Sequence, residues 1–261
     1  MTRQRRFFAA GFLTACLSGA ILGPTGACAA TVRVAVSANF AECCATLTSR
    51  FEAATGHRVV MSRGSTGRHY AQIRAGAPFD VFLAADSHRP TLLEDEGHAV
   101  AGSRFTYAEG RLALWLPAAG PGEDRSAASV LMSADFHHLA IANPRLAPYG
   151  LAAQQALESL ELWEDLQSRL VIGQSAGQAW QFVASGNAEA GIVAYPQILA
   201  ADPVRGKWWT LDAPLHAPIL QQAVLLTGAE SPAAAALLLD YLRSPEAALI
   251  MVRFGYLIPE R

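Results

Sequence analysis

From residue 32 onward, short apolar runs alternate with amphipathic stretches, and that alternation sets the fold class. Val32 to Val36 is short and mostly β-branched, the composition of a buried strand. Phe40, Cys44, Leu47, Phe51 and Ala54 then recur at spacings of four, three, four and three, which puts them on one helical face, and Gly56 supplies the stop. Arg58 to Met61 predicts a second strand, Tyr70 to Arg74 a second helix, Phe79 to Ala85 a third strand, and Ser87 to Gly97 a third helix. This order predicts a doubly wound sheet with right-handed crossovers.

Leu112 to Leu116 reads as a further strand, followed by a loop of small and charged residues from Ala118 to Ser129. The pattern then restarts, with strands at Leu139–Ala142, Leu170–Ile172 and Gly191–Ala194 and helices at Leu151–Leu160 and Gln178–Val183. An irregular stretch holds Pro196, Pro203, Trp208 and Trp209; Ala223 to Leu226 is a strand, and the Ser231-Pro232 and Ser244-Pro245 pairs open two closing helices. The expected architecture is α/β with two lobes, each a doubly wound mixed sheet with flanking helices, and a ligand in the cleft between them. Residues 31–113 and 219–261 are assigned to the first lobe and 114–218 to the second, so the chain crosses twice.

Four strand-to-helix turns stand out: VAVSANF (Val34 to Phe40), SRGSTGRHY (Ser62 to Tyr70), ANPRLAPYG (Ala142 to Gly150) and VIGQSAGQ (Val171 to Gln178). Such turns carry the unpaired N–H groups of a helix start to the carboxyl edge of a parallel sheet, where anions bind. None contains a Lys, a metal-ligand cluster or a complete catalytic set. Together they point to an anion held by neutral donors.

Residues 1–30 read as a secretory signal: Arg3, Arg5 and Arg6, an apolar stretch from Phe7 to Leu22, and a small-residue cleavage site at Ala27-Cys28-Ala29. A lipoprotein box around Cys16 fits less well, because the apolar stretch continues past it. Without this segment the chain has 17 basic and 22 acidic residues, a formal charge of −5. That disfavours nucleic acid and anionic membranes as partners. Cys43 and Cys44 are adjacent, which excludes a useful structural disulfide; they read as helix-face thiols, one of them buried. His57, His69, His88, His98 and His216 are scattered and read as surface or capping residues without ligand spacing. Asp80 reads as a structural hydrogen-bonding partner and Asp86 as a solvent-facing helix-start carboxylate.

AVSANF, Gly64 to Asp86 (GSTGRHYAQIRAGAPFDVFLAAD), NPRLAPYG, GNAEAGIVA (Gly186 to Ala194) and YLRSPEAALIMVRFGY (Tyr241 to Tyr256) resemble, in this order, segments of the periplasmic molybdate-binding proteins, the substrate-binding subunits of molybdate ABC importers. The resemblance spans nearly the whole chain after the signal and implies a two-lobed periplasmic binding protein of the type II kind. It implies no enzymatic activity and no cofactor. The ligand is molybdate, with tungstate as its near twin, the partner an ABC permease, and the protein a monomer in the periplasm. Asn39 and Thr66 match polar side-chain donors of the first lobe. Ala38 matches a position that donates through side chain or backbone. Tyr149 and Ala176 match second-lobe positions that donate through backbone N–H. Molybdenum would then be bound only as its oxyanion, with no direct metal ligand.

Molybdate has four acceptor oxygens and no proton to give at neutral pH, so N–H and O–H donors suffice. Protonated phosphate needs an acceptor, and a cleft without a carboxylate would reject it; sulfate must be rejected by size. Two rivals remain in the sequence. Another anion, sulfate or organic, would fit the same lobes. A secreted serine esterase would use Gly173-Gln174-Ser175-Ala176-Gly177, which fits G-x-S-x-G after a strand, with Asp202, Asp212 and His216 downstream.

Overall fold

A computed structural model describes residues 1–2, 29–118, 125–133, 135–201, 203 and 205–259. The expected signal at 1–30 and the esterase candidate Asp202 therefore fall mostly or wholly outside the described residues. The chain opens with β1 (Thr31–Ser37), a 3-10 turn (Ala38–Phe40), α1 (Ala41–Thr55), β2 (Arg58–Gly64), α2 (Thr66–Arg74), β3 (Val81–Ala84) and α3 (His88–Asp95). It continues through β4 (Phe105–Gly110), β5 (Leu112–Leu116), α4 (Ala127–Ser133), β6 (Leu139–Ala142), α5 (Pro148–Ser159), α6 (Trp163–Leu166), β7 (Leu170–Gly173), α7 (Ala176–Ala184) and β8 (Ala190–Ala194). It closes with α8 (Tyr195–Ala200), β9 (Lys207–Thr210), β10 (Ile219–Leu225), α9 (Pro232–Leu242) and α10 (Pro245–Arg253).

Two five-stranded mixed sheets result, ordered β2-β1-β3-β10-β4 and β7-β6-β8-β5-β9. Each follows the same rule. β1 pairs in parallel with β2 and β3, and β6 with β7 and β8. The antiparallel strand beside each trio, β10 or β5, is the one that arrives from the other lobe. The two crossings therefore lie at Arg111, between β4 and β5, and in the segment before Ile219. Leu112 and Ala113 pair within the second sheet, so the first crossing falls two residues ahead of the expected boundary at 113.

Helices cover both faces of each sheet, as continuous apolar strands require. Phe40, Cys44, Leu47 and Phe51 of the α1 stripe sit in one core with Leu238, Leu239 and Met251, and all are buried. The opposite face carries Ile73 and Leu93 against Phe82 and Val224. In the second lobe α5 packs Ala152, Ala153, Ala156 and Leu157 against Leu112, Leu114 and Ile141. α7 stacks Trp180 on Trp115 at 4.1 Å on the other face. Gly56 ends α1 with φ +75°, the left-handed cap that glycine adopts without a Cβ penalty. Asp80 is structural, as expected. One oxygen accepts the Arg33 N–H at 2.6 Å and the other the Ser231 N–H at 3.0 Å, which pins β1 to the start of α9.

Several expectations are corrected. β4 and β9 are strands where none was expected, and both are sheet edges with half-polar sequences, FTYAEG and KWWT. α4 begins at Ala127, inside the expected 118–129 loop. Both Cys43 and Cys44 are buried and free, because α1 turns its broad apolar face inward. His57 and His69 are buried rather than surface residues. His69 lies between the Val36 carbonyl at 3.2 Å and the Gln72 side chain at 3.1 Å. Asp86 does not simply face solvent: it accepts the Arg89 N–H at 3.0 Å and pairs with the Arg89 guanidinium.

Candidate functional site

All four singled-out turns lie at the carboxyl ends of parallel strands, two per lobe, and they meet. After β1 the chain enters the 3-10 turn at Ala38–Phe40; after β2 it enters α2 at Thr66, with Ser65 as the residue before it. Thr66 is the first helical residue, not the cap, and is fully buried. Its hydroxyl donates to Ser37 Oγ at 3.1 Å and accepts the Ala85 N–H at 3.1 Å. Ser37 Oγ in turn donates to Asn39 Oδ1 at 2.7 Å. The first-lobe turns are thus tied by one chain of hydroxyls.

Asn39 is 4% exposed, and its side chain is held by residues far away in the sequence as well as by Ser37. Its amide nitrogen donates to Gln221 Oε1 at 2.9 Å and to the Tyr256 hydroxyl at 3.1 Å. The Tyr256 hydroxyl donates back to the Asn39 carbonyl oxygen at 3.0 Å. Both amide hydrogens are therefore committed to protein acceptors, and a ligand contact from this side chain requires one of them to be exchanged.

The second-lobe turns approach from the other side. A Cβ placed on Gly177 would lie 3.3 Å from Ala38 Cβ, so the start of α7 abuts the first-lobe turn. Ala176 is buried there, behind Ser175, whose Oγ accepts the Gln178 N–H at 3.2 Å as the α7 cap. Leu146, just before α5, accepts the Gly67 N–H of α2 across the lobes at 2.9 Å. Tyr149 occupies the second position of α5 and is 2% exposed. Its hydroxyl is pressed against Gly110, where no Cβ would fit, beside Gln221, and makes no hydrogen bond. Asn39 and Tyr256 lie near enough to favour the ionised form of this phenol, but burial dominates and holds it protonated. Burial likewise keeps the Tyr256 phenol neutral.

Ala38, Asn39, Thr66, Tyr149 and Ala176 are therefore gathered at one interlobe junction. The first turns of α2, α5 and α7 add backbone N–H groups without intrahelical partners. A cleft of about 400 Å³ opens beside the junction, lined by Ala38, Asn39, Ser175, Gly177, Trp180 and Gln197 among others. Contrary to the expectation of a carboxylate-free cleft, Glu42 lines its outer part. That carboxylate is 59% exposed and paired with Arg63 at 2.6 Å, so it sits at the rim with its charge answered.

Sequence reasoning missed Ser37, Gln221 and Tyr256. The signal for Gln221 was present: a Gln pair inside the apolar β10 run has no packing reason to be there. Among the described residues no hydrogen bond joins the esterase candidates Ser175, Asp212 and His216. Ser175 Oγ serves as a helix cap, His216 Nδ1 faces the Ala217 carbonyl at 2.8 Å, and Asp212 precedes a 3-10 turn. Among the described residues there is no cluster of three metal-ligating side chains, and no helix long and apolar enough to cross a membrane.

Comparison with known proteins agrees with this geometry. Residues 32–257 match the model of the family described as bacterial extracellular solute-binding protein. The chain is 50% identical over 240 residues to the molybdate-binding protein ModA of Azotobacter vinelandii, covering 91% of this chain and 94% of that protein. It is 45% identical over 231 residues to ModA of Rhodobacter capsulatus, covering 88% and 89%. The solved structure of the A. vinelandii periplasmic molybdate-binding protein superposes with a TM-score of 0.83 at 41% identity, covering 88% of this chain and all of that one.

Proposed function

Because the chain belongs to the molybdate-binding proteins within the bacterial extracellular solute-binding family, we propose that it captures molybdate in the interlobe cleft and delivers it to an ABC importer. The observation that carries this reading is the convergence of four strand-to-helix turns around buried neutral donors at the junction of two lobes. The oxyanion is held by the backbone N–H groups of Ala38, Tyr149 and Ala176, by the Thr66 hydroxyl and by Asn39. Ser37 joins the set through its hydroxyl. The Thr66 hydroxyl suits the role because its proton, now on Ser37, is free to swing to an anion while the oxygen keeps the Ala85 N–H.

Hydrogen bonds to a charged group contribute about 1.5–3 kcal/mol each. Six or so, less the cost of ordering two lobes, reach sub-micromolar affinity. Tungstate, nearly equal in size and charge, binds the same donors. No covalent chemistry is involved, no cofactor is needed, and the protein acts as a periplasmic monomer whose two lobe rims meet the permease. Incubation of dialysed protein with molybdate, followed by gel filtration and elemental analysis, tests the proposal. It predicts one molybdenum per chain; protein that elutes free of molybdenum contradicts it.

A further inference from the structure

We propose that Arg89, held by Asp86, and Gly67 form an interlobe latch that positions the first turn of α5 over the anion site and sets how slowly the anion is released. The latch rests on the anion-capture reading above, but its residues are not among the proposed donors. Two hydrogen bonds cross from the first lobe to the loop between β6 and α5. Arg89 Nη2 of α3 donates to the Arg145 carbonyl at 3.0 Å, and the Gly67 N–H of α2 donates to the next carbonyl, Leu146, at 2.9 Å.

The receiving loop is built to present those two carbonyls. Asn143 Oδ1 accepts the Arg145 N–H at 3.0 Å, and the Asn143 carbonyl accepts Leu146 N–H at 3.1 Å and Ala147 N–H at 2.9 Å. With its amides turned inward, the loop leaves its Arg145 and Leu146 oxygens facing the opposite lobe. Tyr149 follows three residues later, so fixing this loop fixes the α5 start. On the first-lobe side, Asp86 orients the guanidinium. It pairs with it from one oxygen and accepts the Arg89 N–H on the other, and both side chains are about four-fifths buried, at 20% and 18% exposure. Gly67 supplies the close approach, since a Cβ there would lie 3.0 Å from the Leu146 oxygen, 3.1 Å from Arg89 Nη2 and 3.2 Å from Leu146 Cα. The two cross-lobe hydrogen bonds join groups that separate when the lobes part, so their effect falls on the closed state.

The test compares the full chain with Arg89→Ala, Arg89→Lys and Gly67→Ala. Release of radiolabelled molybdate into excess unlabelled molybdate is timed. Interlobe distance is read from spin labels at Ala53→Cys and Gln167→Cys, exposed positions in opposite lobes; the native thiols are buried. The latch predicts release about tenfold faster for Arg89→Ala, the loss of one charge-assisted hydrogen bond, and faster release for Gly67→Ala, whose Cβ crowds the Leu146 carbonyl and lengthens the neutral backbone bond to it. It also predicts association within about twofold of the parent and partial rescue by Arg89→Lys; the ligand-free melting temperature is unchanged in Gly67→Ala and falls in Arg89→Ala, where Asp86 loses its ion-pair partner. Parent-like release rates in both variants overturn it. If the parent itself retains no molybdate, the anion reading fails separately. The ligand-free distances then decide: a smaller closed population in Arg89→Ala upholds the latch, and identical distributions overturn it.

Discussion

Replacing Thr66 by Val separates what its hydroxyl does for the fold from what it does for the anion. The side chain is fully buried, and its oxygen answers the Ala85 N–H at the end of β3. Valine keeps the shape and removes that acceptor, leaving a buried N–H unpaired at a cost of about 1–3 kcal/mol whether or not ligand is present. For a chain of this size that lowers the melting temperature by about 2–4 °C per kcal/mol. If the hydroxyl also donates to the oxyanion, Thr66→Val loses a further charge-assisted bond, and affinity falls about 10- to 150-fold beyond any stability effect. Thr66→Ser retains the hydroxyl, so its affinity stays within a few-fold of the parent while it loses only a methyl group. Calorimetric titration with molybdate, beside thermal denaturation of each ligand-free variant, reads both quantities. A Thr66→Val protein that melts lower yet binds molybdate within about twofold of the parent would refute the ligand role and leave Thr66 as a purely structural hydrogen-bonding residue.

Three further outcomes follow from the same geometry. Tyr149→Phe removes a buried hydroxyl that has no partner, so molybdate affinity is unchanged or rises by up to about tenfold; a loss beyond tenfold in a titration would mean the hydroxyl serves the site. Burial lowers the His69 pKa, so the native state favours the neutral ring. The resulting stability is present above the ordinary imidazole range near ~6.5 and is lost as pH falls below it. Urea denaturation between pH 7.5 and 5.5 therefore shows a declining stability that His69→Gln flattens. Burial pushes the Cys44 thiol up to about 12 and raises Cys43 as well, so neither reacts with a thiol reagent in native protein at neutral pH, and both react after unfolding.

The parts of the fold written in local sequence were the most legible. Val32–Val36 and Phe79–Ala85 are apolar apart from Arg33 and Asp80, because β1 and β3 are central and covered on both faces. β4 and β9 escaped notice because an edge strand, half solvated, needs neither an apolar run nor strict alternation. Helix starts were read late at α2, α5 and α7, where Thr66, Pro148-Tyr149 and Ala176-Gly177 break the amphipathic pattern. Those first turns are where polar and small residues must sit to admit a ligand. Of the site residues that came through family resemblance, Thr66, Tyr149 and Ala176 lie on such turns, and Ala38 and Asn39 lie in the 3-10 turn before α1. Gln221 and Tyr256 did not come through, because each reaches Asn39 across some two hundred residues of chain, 182 and 217, by packing alone. The Arg89 latch was equally hidden: its acceptor is a backbone carbonyl, which leaves no mark on sequence.

The central claim is that neutral donors between two lobes hold a fully deprotonated tetrahedral oxyanion. Isothermal titration of residues 31–261 with molybdate, tungstate, sulfate and phosphate at one pH and ionic strength is the test. Tight one-to-one binding of molybdate and tungstate is expected, with no measurable heat from sulfate or phosphate. Silence with molybdate, or displacement of bound molybdate by phosphate at comparable concentration, would contradict it.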